Sequence, residues 1–573
     1  MARTATTDLA TARRLPNAWD AAALCIVFAL LIAIAHVGPA TMQPLNAPHA
    51  IEVTLDPGQL PNYALRTTMR MFAALLASLL FTFIFAPIAA KSRRAGTVLI
   101  PLLDILQSVP ILGFLSFTTV FFMGLFPGSV MGLELAAIFA IFTSQAWNMA
   151  FSFYQSLTTL PADLVEATRA FHLSPWQRFW RLEVPFAMPG LIWNMMLSMS
   201  GGWFFVVASE AITVGDNSWT LPGIGSYVAL ALAHRDLGAV GWAIGAMLVV
   251  ILAYDQLLFR PLVAWSQKFR FETTAADSAE DPWMLALLRR TRILRLTGQV
   301  IGHAFGAIGH WRLPLPQLGR PSRGRTLLGD IVFYTLFGVL ALLALWRVVL
   351  FVSSSNVGWH DVTLVFGLGC LTLLRVVVLI LLASLLWVPV GVWLGLRPAW
   401  AQYVQPLAQF LAAFPANLFF PIFVVAIVRT HANPDIWLTP LMILGTQWYI
   451  LFNVVAGAAA FPGDLREAAR NFHVGGLLWW RRVILPGIFP YFVTGAITAS
   501  GGAWNAAIVS EVASWGDTHL TAHGLGAYIA QATDAGDFPR IVLGVATMSL
   551  FVVTFNRALW RPLYAYSTRR LTL

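Results

Sequence analysis

The amino-acid sequence predicts an all-α membrane protein of about 12 transmembrane helices, arranged as two parallel repeats in one chain. Three observations carry that reading. Of 573 residues, 58% are hydrophobic and 11% are charged, whereas soluble domains carry about a quarter charged. The apolar residues fall in continuous runs of about 20 or more, long enough to cross a bilayer as helices; a β-barrel would alternate in short segments. Finally, a polar stretch between Pro161 and Pro185 returns between Pro462 and Pro486. Both keep an Asp-Leu pair, a Glu-Ala pair, a Phe-His pair and two arginines, and Glu467 follows Glu166 by 301 residues without a gap.

Composition also excludes several classes. The net charge of +10 comes from 36 Lys+Arg against 26 Asp+Glu. These basic residues sit mostly beside span ends, so they set topology and no nucleic-acid partner is expected. Cys25 and Cys370 lie far apart in apolar runs, which indicates neither a disulfide framework nor a metal site; small core residues are expected. The two lysines, Lys91 and Lys268, follow no glycine-rich loop, so the chain has no P-loop and any nucleotide energy must come from a partner. No metalloprotease, paired-cysteine or nucleophile-elbow pattern is present, so catalysis on a substrate is not expected.

Five regions follow in order. Residues 1–60 hold a basic tail, an apolar run from about Trp19 to Val37, read as an uncleaved span, and an external segment lacking Lys and Arg. Residues 61–266 form the first repeated domain, with spans near 64–90, 98–126, 133–157, 186–212 and 239–265. Lys91, Arg93 and Arg94 place the inner end of its first span in the cytoplasm. Residues 267–325 are a cytoplasmic linker, part of it amphipathic. Residues 326–361 supply an extra helix, and 362–573 repeat the first domain, with spans near 362–395, 403–428, 436–459, 487–513 and 540–565. The echo extends beyond the loop: SGGWFFVVASEA (200–211) answers GGAWNAAIVSEV (501–512), and FRPLVAWS (259–266) answers WRPLYAYS (560–567). An even span count per half gives both halves one orientation, with a pathway between them. Pro110 and Pro415 are expected to kink the third span of each half.

Within each duplicated loop, Asp163 and Asp464 stand three residues before Glu166 and Glu467. That is capping-box spacing, with Asp as the N-cap. Phe171 and Phe472 are the candidate anchors for a partner, and His172 and His473 read as local hydrogen-bonding residues rather than metal ligands.

The loops resemble the cytoplasmic EAA loop of ABC importer permeases, carried here by Glu166-Ala167-Thr168 and Glu467-Ala468-Ala469 with the closing Pro185 and Pro486. The flanking SEA/SEV and LPGIG-type segments look most like the nitrate/sulfonate/taurine/bicarbonate branch. Where the family pattern has glycine, this chain has His172 and His473. The resemblance implies two fused type-I-importer-like permease domains in a bacterial plasma membrane, with both termini cytoplasmic. It implies two copies of an ATPase subunit that bind ATP and Mg, so that no cofactor belongs to this chain, and a periplasmic or lipid-anchored binding protein. Each loop would seat a short coupling helix in an ATPase groove. Residues 163, 166–169 and 171–172 (through Arg169), with 464, 467–470 and 472–473 (through Arg470), would make the contact.

Ionisable residues inside spans are costly and default to functional hypotheses. Arg70 and Arg375 correspond between halves, as do Glu210 and Glu511. Two arginines facing one cavity would suit an anionic solute; the competing reading is a Glu-paired or snorkelling arginine. A stand-alone ion-coupled transporter is the alternative function. It is disfavoured because these acids sit near span ends and because the loops are duplicated.

Overall fold

The computed structural model describes residues 43–45, 52–108, 111–214, 217–269, 323–353, 357–414, 416–459, 461, 463–515 and 518–570. The expected first span, nearly all of the linker, Pro110 and Pro415 lie outside them. Eight described helices are long and apolar enough to cross a membrane. A ninth crossing arises if Pro434–Leu444 and Trp448–Ala459, bent by 43°, form one span.

The halves share one element order. A long helix (Leu60–Lys91; Trp359–Gly395) leads to a broken span and then to the helix before the loop (Val130–Thr158; Trp448–Ala459). After the loop come a second long helix (Val184–Glu210; Leu485–Ser510), a β-hairpin, a short helix (Ile224–Ala233; Leu525–Asp534) and a closing helix (Leu237–Tyr254; Phe538–Phe555). Expected spans 98–126 and 403–428 are not single helices. The first is Arg93–Ser108 with Ile111–Leu125, the second Pro398–Ala413 with Phe420–Thr430. In the sequence, Pro110 and Pro415 stand in these gaps, and a proline disfavours the helix that precedes it.

The hairpins were not expected. Strand β1 (Ala211–Val214) pairs antiparallel with β2 (Asn217–Thr220), and β3 (Val512–Trp515) with β4 (Thr518–Thr521). A sequence signal exists: Gly215-Asp216 and Gly516-Asp517 are turn-prone dipeptides between β-prone flanks. At the opposite end, single π-turns recur at matching positions, Phe179–Glu183 with Trp480–Ile484 and Asp255–Phe259 with Asn556–Trp560. Such turns inside α-helices frequently mark functional segments.

Each half has its own packed core, and the broken spans are exchanged between them. Ile111 and Leu115 of the first half pack in the second-half core, while Leu418 packs in the first. Ile111 N–H donates to Asn505 Oδ1 across the boundary at 2.6 Å. In lipid no hydrophobic force separates protein from solvent, so this interlocking rests on close packing and such hydrogen bonds. The extra helix Arg323–Ser353 lies against Phe538–Phe555 with its apolar stretch unburied; Asp330 on it pairs with Arg94. Cys370 corrects an expectation. It is exposed on the outer face of Trp359–Gly395 rather than in the core, because a lipid-facing surface accepts small apolar residues as readily as an interior does.

Candidate functional site

The first loop helix is Ala162–Ala170 and the second Gly463–Asn471. Pro161 is the N-cap of the first and no side chain caps it, so Asp163 lies inside the first turn. This overturns the capping-box assignment of Asp163 with Glu166. Asp464 likewise falls in the first turn of its helix. An acid there is still favourable, through the partial positive charge of the helix start. The true capping box lies eleven residues downstream: Gln177 N–H donates to Ser174 Oγ at 3.2 Å, and Ser174 N–H to Gln177 Oε1 at 3.0 Å.

Both loop helices end in the same Schellman turn. Leu173 N–H donates to Thr168 O at 3.0 Å and Val474 N–H to Ala469 O at 2.8 Å, with His172 and His473 both at φ 51°. This left-handed position is where glycine is usual, and histidine is among the few side chains enriched there. The histidine replacement therefore keeps the turn. The turn holds Phe171 and Phe472 outward at 77% and 81% exposure. Glu166, Ala167 and Arg169 are exposed beside the first, Glu467 and Arg470 beside the second, while Thr168 and Ala469 are buried and Ala468 is half-buried. Each loop thus presents one aromatic ring within a small charged rim.

Above the loop helices the halves enclose a cavity of about 430 Å³. Asn148, Ser152 and Asn194 line it from the first half, and Tyr449, Thr498 and Arg561 from the second. Its residues come from Arg93–Ser108, the later turns of Val130–Thr158, both post-loop helices, the start of Trp448–Ala459 and the end of Phe538–Phe555, so it lies toward the loop end of the bundle. Gln155 Nε2 donates to Tyr564 Oη across the halves at 2.9 Å. The cavity is asymmetric because Tyr449 stands where the first half has Asn148. The tyrosine hydroxyl presses against Gly201, which leaves no room for a β-carbon, whereas the corresponding Gly502 packs against Thr446.

At the hairpin end the structure gathers the four intramembrane ionisable residues into two networks. Arg70 meets Glu134 through Nε–Oε2 at 2.6 Å and Nη2–Oε1 at 2.7 Å, and Glu210 through Nη1–Oε1 at 2.7 Å. Thr67 Oγ1 donates to Glu210 Oε1, and Gly225 N–H to Glu210 Oε2, each at 2.7 Å. In the second half Arg375 pairs with Glu511 at 3.0 Å and with Asp435 at 3.2 Å, and Thr372 donates to Glu511 at 2.9 Å. Gly223 and Gly524 pack so closely on these glutamates that a β-carbon would collide with the carboxylate. The SEA/SEV and LPGIG-type segments are therefore one physical unit. None of Arg70, Arg375, Glu210 and Glu511 lines the cavity. Glu134 and Asp435 escaped the sequence reading, although they too lie 301 residues apart. So did Glu183, buried 2.7 Å from Lys91 Nζ and 3.0 Å from Arg178 Nε, charge contacts that lack hydrogen-bond alignment.

A duplicated helical membrane protein with a mostly apolar cavity between its halves, dotted with amide and hydroxyl groups, and with paired, aromatic-tipped loop helices below it has the architecture of a permease. The chain belongs to the family described as binding-protein-dependent transport system inner membrane component, whose profile matches residues 78–259 and 387–570. It is 31% identical over 239 residues to the glycine betaine/proline betaine transport system permease protein ProW of Escherichia coli (strain K12), covering 40% of this chain and 58% of that protein. It is 26% identical over 185 residues to the nitrate import permease protein NrtB of Leptolyngbya laminosa (32% and 63%). Against the bicarbonate transport system permease protein CmpB of Synechococcus elongatus it is 27% identical over 164 residues (29% and 56%). The chain thus spans less than two thirds of each of these relatives. The nitrate and bicarbonate permeases fall in the branch suggested by the motifs; the betaine permease lies outside it.

Proposed function

We propose that this chain is the translocation subunit of an ATP-driven importer. It moves a small solute into a bacterial cytoplasm by alternating access. Two ATPase subunits bind ATP and Mg and seat on the loop helices, and an external binding protein delivers solute at the hairpin end. The loop helices then face the cytoplasm, as do both termini, and the cavity in this structure is inward-facing. Closure of the ATPase pair would draw the two loop helices together and open the cavity to the other side. The chain itself holds no catalytic group in this scheme.

The observation that carries the reading is the matched exposure of Phe171 and Phe472 at rigid helix ends. Exposed apolar rings set in a polar rim are the usual anchors of a protein interface. A pull-down tests it. Phe171→Ala with Phe472→Ala should weaken ATPase capture by at least about tenfold, the scale of a hot-spot loss, while the variant stays monodisperse. Undiminished capture would sink the docking assignment. Glu166→Arg with Glu467→Arg should abolish both capture and transport while leaving binding-protein docking intact.

A further inference from the structure

The two halves line the cavity with different chemistry. Among the described residues seven aromatic side chains reach it, and five of them, Tyr449 and Tyr491 included, belong to the second half. The counterparts of those two, 301 residues earlier, are Asn148 and Gly190. The first half supplies carboxamides instead: Gln107, Asn148, Gln155 and Asn194. Some of these groups are already engaged. Phe555 and Trp560 pack edge to face with centroids 5.9 Å apart, and Gln155 is bound to Tyr564. Others are not. Among the described residues Trp193, Tyr449 and Tyr491 make no ring–ring contact, and neither the Asn148 side chain nor Tyr449 Oη has a hydrogen-bond partner. Asn194 uses Nδ2 on Gly190 O at 3.0 Å, which leaves Oδ1 to accept. These groups are left for whatever fills the cavity, water or solute.

Taking the cavity as the solute's path, as the importer reading does, we infer that the solute is an organic molecule with a flat unsaturated ring and an amide-like edge. Its ring packs on Trp193, Tyr449 and Tyr491, and its edge is read by Asn148 and Asn194 Oδ1. Aromatic pairs gain beyond the area they bury, and a carboxamide offers donors and an acceptor together. The position shared by Asn148 and Tyr449 gives one amide and one ring, so the cavity holds a single unsymmetrical site rather than two equal ones. Size agrees with this class. About 430 Å³ falls in the range of roughly 300–1,000 Å³ usual for organic ligands, far more than a small inorganic anion fills.

The test uses uncharged thiol reagents of similar shape, the benzyl and cyclohexylmethyl methanethiosulfonates. Cys25 and Cys370 are first replaced by serine. Thr498→Cys is then introduced in the full chain in lipid nanodiscs, and each rate is normalised to that with free cysteine. The benzyl reagent should react at least about threefold faster, within the range that aromatic pairing supports. Simple partition into an apolar space favours the saturated ring, so it cannot imitate this sign. Tyr449→Phe should keep the preference, and Tyr449→Leu with Tyr491→Leu should remove it. A 4-carbamoylbenzyl reagent should gain at least about twofold more, a gain lost in Asn148→Leu. Equal rates in the parent, a faster saturated reagent, or a preference unmoved by the leucine pair overturns the ring assignment. No gain from the carbamoyl group, or one that survives Asn148→Leu, overturns the edge. Failure of every reagent at both Thr498→Cys and Ser152→Cys overturns the site itself. No ATPase or binding protein takes part, so failure of the importer reading and failure of the solute class are separate results.

Discussion

In the first half Arg70 grips Glu134 through two parallel hydrogen bonds; in the second, Arg375 reaches Asp435 once, at 3.2 Å. The aspartate is one methylene shorter and does not offer the guanidinium a fork. The remaining valences of Asp435 go to His523, whose backbone N–H donates at 2.6 Å and whose ring lies 3.1 Å away. At the matching position the first half has Pro222, which offers Arg70 only a carbonyl, at 3.0 Å. The first network is sealed, with Arg70 at 3% exposure, and the second opens to solvent through Asp435 and His523. The loop ends differ in the same spirit: Glu183 and Asp255 of the first half become Ile484 and Asn556. Duplication has conserved the backbone devices, namely Schellman turns, π-turns, hairpins and close-packed glycines. The side-chain charges have drifted, and the drift leaves a buried, charge-paired half beside a more open one that supplies most of the cavity wall.

That contrast can be broken at several points. The largest effect is expected for Arg70→Gln, which strands two buried carboxylates and should cost about 3–5 kcal/mol. Arg375→Gln, in a network that water already reaches, should cost less than about half as much. Tryptophan-fluorescence unfolding of both variants in nanodiscs measures the gap; equal losses would mean the networks are equivalent. Next comes Ile484→Glu. It places the first half's acid at a fully buried site whose neighbours lack the matching cations, since Leu396 and Trp479 stand where Lys91 and Arg178 would, and about 3 kcal/mol of destabilisation is expected.

Smaller effects are expected at the loop turns. A β-branched residue is strained in the left-handed region by about 1–2 kcal/mol, so His172→Val with His473→Val should speed hydrogen exchange across residues 162–173 and 463–474. His172→Gly with His473→Gly should leave exchange and ATPase capture unchanged or improved. The smallest change is expected for Glu183→Ile, the reverse of Ile484→Glu. Lys91 and Arg178 are each about a third exposed and regain water, so stability should move by less than about 1 kcal/mol.

Much of the fold and of the duplicated loops was legible in the primary sequence. Apolar runs and an exact repeat are one-dimensional signals: a helix in lipid must satisfy its own backbone, so length and hydropathy suffice to find it. The loop motif marked Phe171 and Phe472 for the same reason, as apolar residues in polar islands. The capping assignment failed because Asp-x-x-Glu spacing occurs both at an N-cap and one turn inside a helix, and Pro161 took the cap position. The broken spans were read as kinks because a proline shows where a helix is interrupted but not how far its pieces diverge.

What the sequence determined by itself is local and periodic: helices, their duplication, the loop that returns after 301 residues, and the family to which they belong. What the tertiary structure alone decided is which residues meet. Arg70, Glu134, Glu210 and Gly223 are spread over more than 150 residues yet share one buried site. The broken spans pack in the opposite half, and the Tyr449 hydroxyl packs against Gly201 across the halves. Such pairings follow from the packing of helices distant along the chain, which no local period encodes.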